Sequence, residues 1–207
     1  METHAASSLA PMARLHEFVG ATSRLVERTS DEAMLLETSR ELMKALVAHD
    51  DWLPDEFATP HPLHYQQYLL YCDPLDRFSV VSFVWGPGQH TPIHDHTVWG
   101  IIGVLRGAES AQPYRITERG PVANGVEQRL GIGDVEAVSP TVGDVHRVRN
   151  ALDGQVTISI HLYGGNIGRI ARHVFAPDSP EPKPFVSGYS NATPAIPCIK
   201  LTNAENP

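Results

Sequence analysis

The sequence predicts a mainly β protein that carries helices at its N-terminus. Its 16 glycines and 17 prolines among 207 residues exceed the average share, which indicates a turn-rich architecture. From residue 65 onward, short runs rich in Val, Ile, Tyr and Phe are divided by turn residues, whereas residues 12–50 show an apolar stripe at helical spacing. Many short strands favour a sandwich or barrel over a parallel α/β sheet.

The helical stripe lies in the first 60 residues, which we predict to be a helical segment packed on a β-barrel. Thr29 and Glu32 have the spacing of a capping box, which predicts the start of the second helix, and Pro54 predicts that the helix has ended. The apolar residues recur three, four and seven positions apart, at Leu35, Leu36, Leu42, Met43, Leu46 and Val47.

The barrel is predicted to span residues 61–176. Residues 177–207 form a proline-rich extension that we expect to run extended over the surface without regular structure, within a single structural domain overall. Eight segments are predicted as strands: 65–72, 77–86, 98–106, 110–117, 134–139, 145–150, 156–163 and 171–176.

Charge and composition exclude several classes of partner. A net charge of −8 argues against nucleic acid, because phosphate binding needs clustered Lys and Arg. The sequence contains no run of 18 apolar residues, which argues against a membrane partner. The N-terminal residues lack the pattern of a signal peptide. Two cysteines, Cys72 and Cys198, fit a reducing compartment. We therefore expect a cytoplasmic protein, and no obligatory protein partner is evident.

A group of three histidines is the sharpest functional signal. Because residues two apart in a strand face the same side, His94 and His96 are expected to enter one cavity while Asp95 points away. His146 is the candidate third member. Three imidazoles with open coordination positions suit iron, copper, nickel or zinc.

These residues resemble the two motifs of the cupin superfamily across about residues 80–165. The resemblance implies a cupin jelly roll, the double-stranded β-helix, with a metal inside. The glutamate ligand of the first motif is replaced by glycine at position 100. In the second motif, the intervals from residue 133 to 140 and from 140 to 143 are each one residue too long. The matching positions are Gly88, His94, His96, Gly107, Gly143, His146 and Asn150.

A second polar row follows on one predicted strand. Ser159, His161 and Tyr163 alternate with apolar residues, so the period of two places them on one face. A half-exposed strand with a polar outer face would show the same pattern. The row begins 13 residues after the third histidine, and this spacing favours the cavity side.

The combined pattern, from residue 65 to 175, resembles the thiol dioxygenases of the cysteine dioxygenase type I family. That resemblance implies Fe(II) on the three histidines. It also implies a hydrogen bond from Tyr163 to the oxygen or thiolate, with His161 holding the phenol and Ser159 fixing the imidazole tautomer.

Two departures point to a subtype. Gln67 stands where animal-type enzymes have an arginine, and Gly100 stands where they have a cysteine cross-linked to the tyrosine, so Tyr163 is expected to be unmodified. Both departures resemble the bacterial glutamine type, which includes 3-mercaptopropionate dioxygenases. Arg172 fits that group's carboxylate ligand, with Arg169 as an alternative.

The expected reaction adds both atoms of O2 to the thiol of a small carboxylate-bearing thiol and gives the sulfinic acid. The substrate is 3-mercaptopropionate, L-cysteine or both, and the ammonium group of cysteine lacks a clear acidic partner. Two alternatives stay open. One is a cupin dioxygenase acting on a non-thiol substrate such as a diketone or flavonol, and the other is a non-catalytic cupin that binds a small ligand.

Overall fold

A computed structural model describes residues 12–197. Residues 1–11 and 198–207 lie outside the described part of the chain. Cys198, the start of the predicted helical segment and the end of the predicted proline-rich extension therefore also lie outside it. Two helices, α1 (Ala13–Arg28) and α2 (Glu32–Val47), are followed by a single 3-10 turn at Asp55–Phe57. No described helix has both the length and the apolar character needed to cross a membrane.

Within residues 12–197, twelve strands follow the helices. In chain order they are β1 (Gln66–Cys72), β2 (Ser79–Trp85), β3 (Ile93–His94), β4 (Gly100–Arg106), β5 (Ala108–Thr117), β6 (Gly120–Ala123), β7 (Gln128–Gly131), β8 (Val135–Val138), β9 (His146–Asn150), β10 (Thr157–Tyr163), β11 (Arg172–Phe175) and β12 (Pro182–Phe185).

The strands form two antiparallel sheets around a common interior. One sheet has the order β1-β2-β10-β4-β8, and the other has the order β12-β11-β3-β9-β5-β6, with β7 paired to β5. Side chains from both sheets line one interior cavity. This confirms the mainly β prediction and the double-stranded β-helix.

All eight predicted strands are present, with ends that differ by at most two residues. Four strands were not predicted, namely β3, β6, β7 and β12. β3 has only two residues, and β6 and β7 are short and largely exposed. Such segments carry too little hydrophobic alternation to be recognised from sequence.

The second helix starts differently from the prediction. Its N-cap is Asp31, whose carboxylate accepts a hydrogen bond from the backbone N–H of Met34 at 2.8 Å. Thr29 is instead the C-cap of α1. The capping box was therefore wrong, since Glu32 is the first helical residue and its carboxylate accepts from the Ser139 hydroxyl.

The helices cover the outer face of the five-stranded sheet. Gly103 on β4 makes this close approach possible, because a Cβ there would lie 2.6 Å from Cγ of Met43. Apolar residues of β10 join this outer core, so β10 is buried on both faces. The outer core includes Leu15, Phe18, Met43, Leu46, Val80, Val84, Ile101, Leu105, Ile158, Ile160 and Leu162.

The proline-rich segment after residue 176 is only partly irregular. Residues 182–185 pair with β11 as an edge strand, which corrects the expectation that its prolines break regular structure. Proline is tolerated on an edge because its missing N–H faces away from the partner strand. The chain then returns to β1, where the backbone N–H of Ser190 donates to the carbonyl of Gln67 at 2.8 Å.

Candidate metal centre and cavity

Three histidine side chains meet inside the barrel. His94 on β3 is the direct register partner of His146 on β9, and His96 follows two residues after His94. Each pair of ring centroids is 4.9 Å apart, and their candidate ligand nitrogens all lie within 4.8 Å of one another. The structure thus brings together the three residues that the sequence singled out.

Strand alternation does not explain how His96 reaches this group, because β3 ends at His94. Asp144 orients His96 instead. One carboxylate oxygen lies 2.9 Å from Nδ1 of His96 and 2.9 Å from its backbone nitrogen. The other oxygen accepts from the backbone N–H of Thr97, which has a φ of 60°. The carboxylate therefore holds both the ring and the strained turn that follows it.

Burial keeps the imidazoles of His94 and His146 neutral, as metal ligation requires. Burial and the nearby His96 lower the pKa of His94 to about 3. Burial likewise lowers the pKa of His146 well below its usual range. Nδ1 of His94 lies 3.1 Å from the carbonyl of Pro92, and Nδ1 of His96 contacts Asp144, so both rings offer Nε2 to the centre.

This donor set fits a divalent transition metal. Among residues 12–197, no carboxylate belongs to the group, so the ligands add no negative charge. Three nitrogen donors leave coordination positions open for other molecules. Asp95 contacts Nδ1 of His173 at 2.8 Å on the neighbouring strand and takes no part in the group.

Substitution of Asp144 by Asn is expected to weaken metal binding about 10- to 100-fold, because the neutral amide orients His96 less firmly and lowers its basicity. Titration with a competing chromophoric chelator measures the affinity. Asp134→Asn is the matched control, since that carboxylate only accepts from the backbone of Gly131. Equal affinities of the two variants would contradict this role of Asp144.

The row on β10 is continuous. Nδ1 of His161 lies 2.8 Å from the hydroxyl of Tyr163, and Nε2 of His161 lies 2.8 Å from the hydroxyl of Ser159. Burial lowers the pKa of His161 and raises the pKa of Tyr163, so the imidazole and the phenol are both neutral. The ring of Tyr163 stacks on His96 at 5.5 Å, which places the phenol beside the metal centre.

The histidines and the phenol open into a cavity of about 190 Å³. Its remaining walls are apolar or aromatic, except for Arg172 and the neutral polar groups of Gln67, Thr91 and Ser187. Among the described residues that line it, Arg172 is the only side chain with a fixed charge. The full lining comprises Tyr65, Gln67, Phe83, Trp85, Thr91, Pro92, His94, His96, His146, Val148, His161, Tyr163, Arg172, Val174, Phe185 and Ser187.

Arg172 is buried and held from two sides. Its Nη2 donates to the Ser187 hydroxyl at 2.7 Å, and its guanidinium carbon lies 4.6 Å from the ring centroid of Phe185. Nε of Arg172 is buried without a hydrogen-bond partner. Arg169 is exposed and does not line the cavity.

Gln67 lines the cavity, but its amide nitrogen is already engaged. It donates to the Ser187 hydroxyl at 3.1 Å and to the carbonyl of Gly188 at 3.1 Å. Gln67 thus fastens the segment after β12 to the mouth of the barrel.

Comparison with known proteins agrees with this site. The sequence model of the family "Cysteine dioxygenase type I" matches residues 6–174. The chain belongs to the cysteine dioxygenase type I family. Membership implies oxygenase chemistry and agrees with the buried three-histidine group.

Several solved structures are also similar to this cysteine dioxygenase family member. A conserved protein with a double-stranded β-helix domain from Klebsiella pneumoniae is 22% identical, with a TM-score of 0.44 over 60% of this chain and 93% of its own. A cupin-like protein from Thermotoga maritima is 24% identical, with a TM-score of 0.38 over 47% of this chain and 65% of its own.

One position in this family member bears directly on the tyrosine. Gly100 is the register partner of Tyr163, and a Cβ there would lie 2.9 Å from Cδ1 and 3.1 Å from Cε1 of the phenol ring. A side chain at position 100 would therefore touch the ring edge. Glycine has no sulfur to offer, so this position cannot supply a thioether to Tyr163.

Substitution of Gly100 by Ala is expected to lower the free energy of unfolding by about 1–3 kcal/mol, because the added methyl overpacks the Tyr163 ring. Urea denaturation measures the change. Gly154→Ala is the control, since no atom lies within 4 Å of a Cβ at that position. If both variants unfold at the same urea concentration, the contact between Gly100 and Tyr163 is not close.

Sequence reasoning missed three residues at the site of this cysteine dioxygenase family member. Asp144 lies two residues before His146, and an acidic residue so close to a predicted ligand was an available signal. Phe185 and Ser187 come from the segment expected to lie on the surface, and no local pattern marks them. Their place follows from the pairing of β12 with β11.

Proposed function

We propose that the protein is a mononuclear Fe(II) thiol dioxygenase that converts a small carboxylate-bearing thiol to its sulfinic acid. The single observation that carries the proposal is that the three-histidine group and Arg172 line the same small cavity. When bound, ferrous iron supplies coordination positions for the thiolate sulfur and for O2. The sulfur loses four electrons and O2 gains four, so the reaction needs no further reductant.

The carboxylate of the substrate is proposed to meet two donors. Nε of Arg172 is buried and unpartnered, so an anion there would satisfy it. The Ser187 oxygen accepts from both Gln67 and Arg172, which leaves its own hydrogen to donate. An ionised carboxylate accepts both hydrogen bonds, and Gln67 acts by holding Ser187 in place.

The charges in the cavity favour 3-mercaptopropionate over L-cysteine. A thiolate and a carboxylate complement the metal and Arg172. No carboxylate among the described residues lines the cavity to pair with the ammonium group of cysteine, which must therefore lose its hydration on entry. We propose L-cysteine as a slower substrate. Small thiols stay reduced in a reducing compartment, so we propose a cytoplasmic location for the protein.

The size of the cavity also supports a small thiol acid. Sites for drug-sized ligands usually occupy about 300–1,000 Å³. This cavity of about 190 Å³ is smaller, so it suits a thiol acid better than a bulky flavonol.

The test is oxygen uptake by iron-reconstituted protein with 3-mercaptopropionate, L-cysteine and cysteamine side by side. We expect kcat/KM to be highest for 3-mercaptopropionate, lower for L-cysteine and lowest for cysteamine, which has no carboxylate. Preference for cysteamine would contradict the assignment of Arg172. Absence of uptake with all three thiols, at full iron occupancy, would contradict the thiol dioxygenase itself.

A further inference from the structure

A buried carboxyl group lies at the inner end of the row on β10. Glu109 on β5 is 1% exposed, and its carboxyl faces the hydroxyl of Ser159. The second oxygen of Glu109 is buried without a hydrogen-bond partner. The row therefore runs from Tyr163 in the cavity through His161 and Ser159 to an acid that the proposed reaction has not used.

Trp85 restricts the arrangement at Ser159. Its indole N–H donates to the Ser159 hydroxyl at 3.1 Å, and an indole nitrogen can only donate. Ser159 then has one acceptor position and one hydrogen left for its two other neighbours, Glu109 and His161. A hydrogen bond given to one of them must be balanced by a hydrogen bond received from the other.

We propose that Glu109 is a positioning residue whose protonation state sets the direction of the hydrogen bonds along Ser159, His161 and Tyr163. This inference rests on the proposed function, because it concerns what the Tyr163 hydroxyl offers to a substrate.

In the ionised state, Glu109 accepts the hydrogen of Ser159. Ser159 then accepts from Nε2–H of His161, and Nδ1 of His161 accepts the hydrogen of Tyr163. In the protonated state, Glu109 donates to Ser159, which donates to Nε2 of His161. Nδ1–H then donates to the phenol oxygen, and the hydrogen of Tyr163 is free to point into the cavity. Only the protonated state lets Tyr163 donate to a ligand.

The surroundings of Glu109 place its titration near neutrality. Burial is the largest cause of a pKa of about 7 for Glu109, and the charge of Glu136 on β8 also raises this pKa. The hydroxyl of Ser159 acts in the opposite direction, because it favours the ionised carboxylate. Within the row, burial holds His161 and Tyr163 neutral across the same range. The titratable and charged groups that act on these two residues from other elements are His94, His96 and His146, together with Tyr65, Asp144 and Arg172.

The test is the tautomer of His161, read from ¹⁵N chemical shifts in the full-length, metal-free protein labelled at histidine, between pH 5 and pH 9. We expect the ring proton to sit on Nδ1 at low pH and to move to Nε2 with a midpoint near 7. In Glu109→Gln the tautomer is expected to be independent of pH, since the amide does not ionise. Ser159→Ala separates Glu109 from His161 and should also abolish the response.

Glu136→Gln is the matched control, because it removes a neighbouring half-buried carboxyl that does not contact Ser159. It should keep the response and shift the midpoint to lower pH. A tautomer that is constant in the wild type, or a response that persists in Glu109→Gln, would overturn the inference. Oxygen uptake with 3-mercaptopropionate separates the two proposals. Oxygen uptake without a pH-dependent His161 tautomer contradicts only the role of Glu109. A pH-dependent tautomer without oxygen uptake contradicts only the thiol dioxygenase.

Discussion

Replacement of His146 by Ala is expected to abolish both metal binding and thiol-dependent oxygen uptake. The variant keeps only two of three neutral donors, and no carboxylate among the described residues is placed to substitute. Iron content measured after anaerobic reconstitution should fall from about one ion per chain to near zero, because a site with two neutral ligands lacks the donor number that such metals require.

The control for this experiment is His90→Ala. His90 belongs to the same part of the chain, but it is exposed and its ring contacts the carbonyl of Thr91. We expect wild-type iron content and activity from it. Full iron occupancy in His146→Ala would show that the metal binds elsewhere and would contradict the three-histidine site.

The second large effect is expected from Arg172→Met. The change keeps an apolar stem against Phe185 while it removes the only fixed charge among the described residues of the cavity wall. Removal of one partner from a buried charge pair costs about 2–5 kcal/mol. At about 1.4 kcal/mol for each factor of ten, kcat/KM for 3-mercaptopropionate should fall about 30- to several-thousand-fold. The value for cysteamine should change little, because it forms no such pair.

Arg169→Ala is the matched control and also tests the alternative that the sequence left open. Arg169 is exposed and does not line the cavity, so its loss should leave kcat/KM for all three thiols unchanged. A loss of 3-mercaptopropionate activity in Arg169→Ala, with Arg172→Met unaffected, would reverse the two roles.

Much of the barrel was predictable because its strands are buried on at least one face. On β10 the apolar residues pack under the helices, and the polar row faces the interior, so strict alternation appears in the sequence. The spacing of His146, His161 and Tyr163 in the sequence is constrained because all three side chains line one cavity. Such a constraint leaves a pattern even though its members are far apart in the chain.

The missed features depend on contacts between segments that are distant in sequence. The orientation of His96 comes from Asp144 across a strand pair, because β3 is too short to impose alternation. Ser187 reaches the cavity because β12 adds to the edge of the sheet. Glu109 lies just before a predicted strand, and its sequence neighbours do not show that it ends buried beside Ser159.

The helix boundary shows the same limit on a smaller scale. Thr29 and Asp31 are both competent caps, and a local pattern does not decide between them. The choice of Asp31 coincides with a contact from Glu32 to Ser139, on a loop more than a hundred residues away.

The most direct test of the account is the fate of the two atoms of O2. Iron-reconstituted protein is supplied with 3-mercaptopropionate under ¹⁸O2, and the product is analysed by mass spectrometry. We predict a sulfinic acid in which both oxygen atoms on sulfur carry the label. A product with one labelled oxygen, or a disulfide without any, would contradict a dioxygenase built on the three histidines and Arg172.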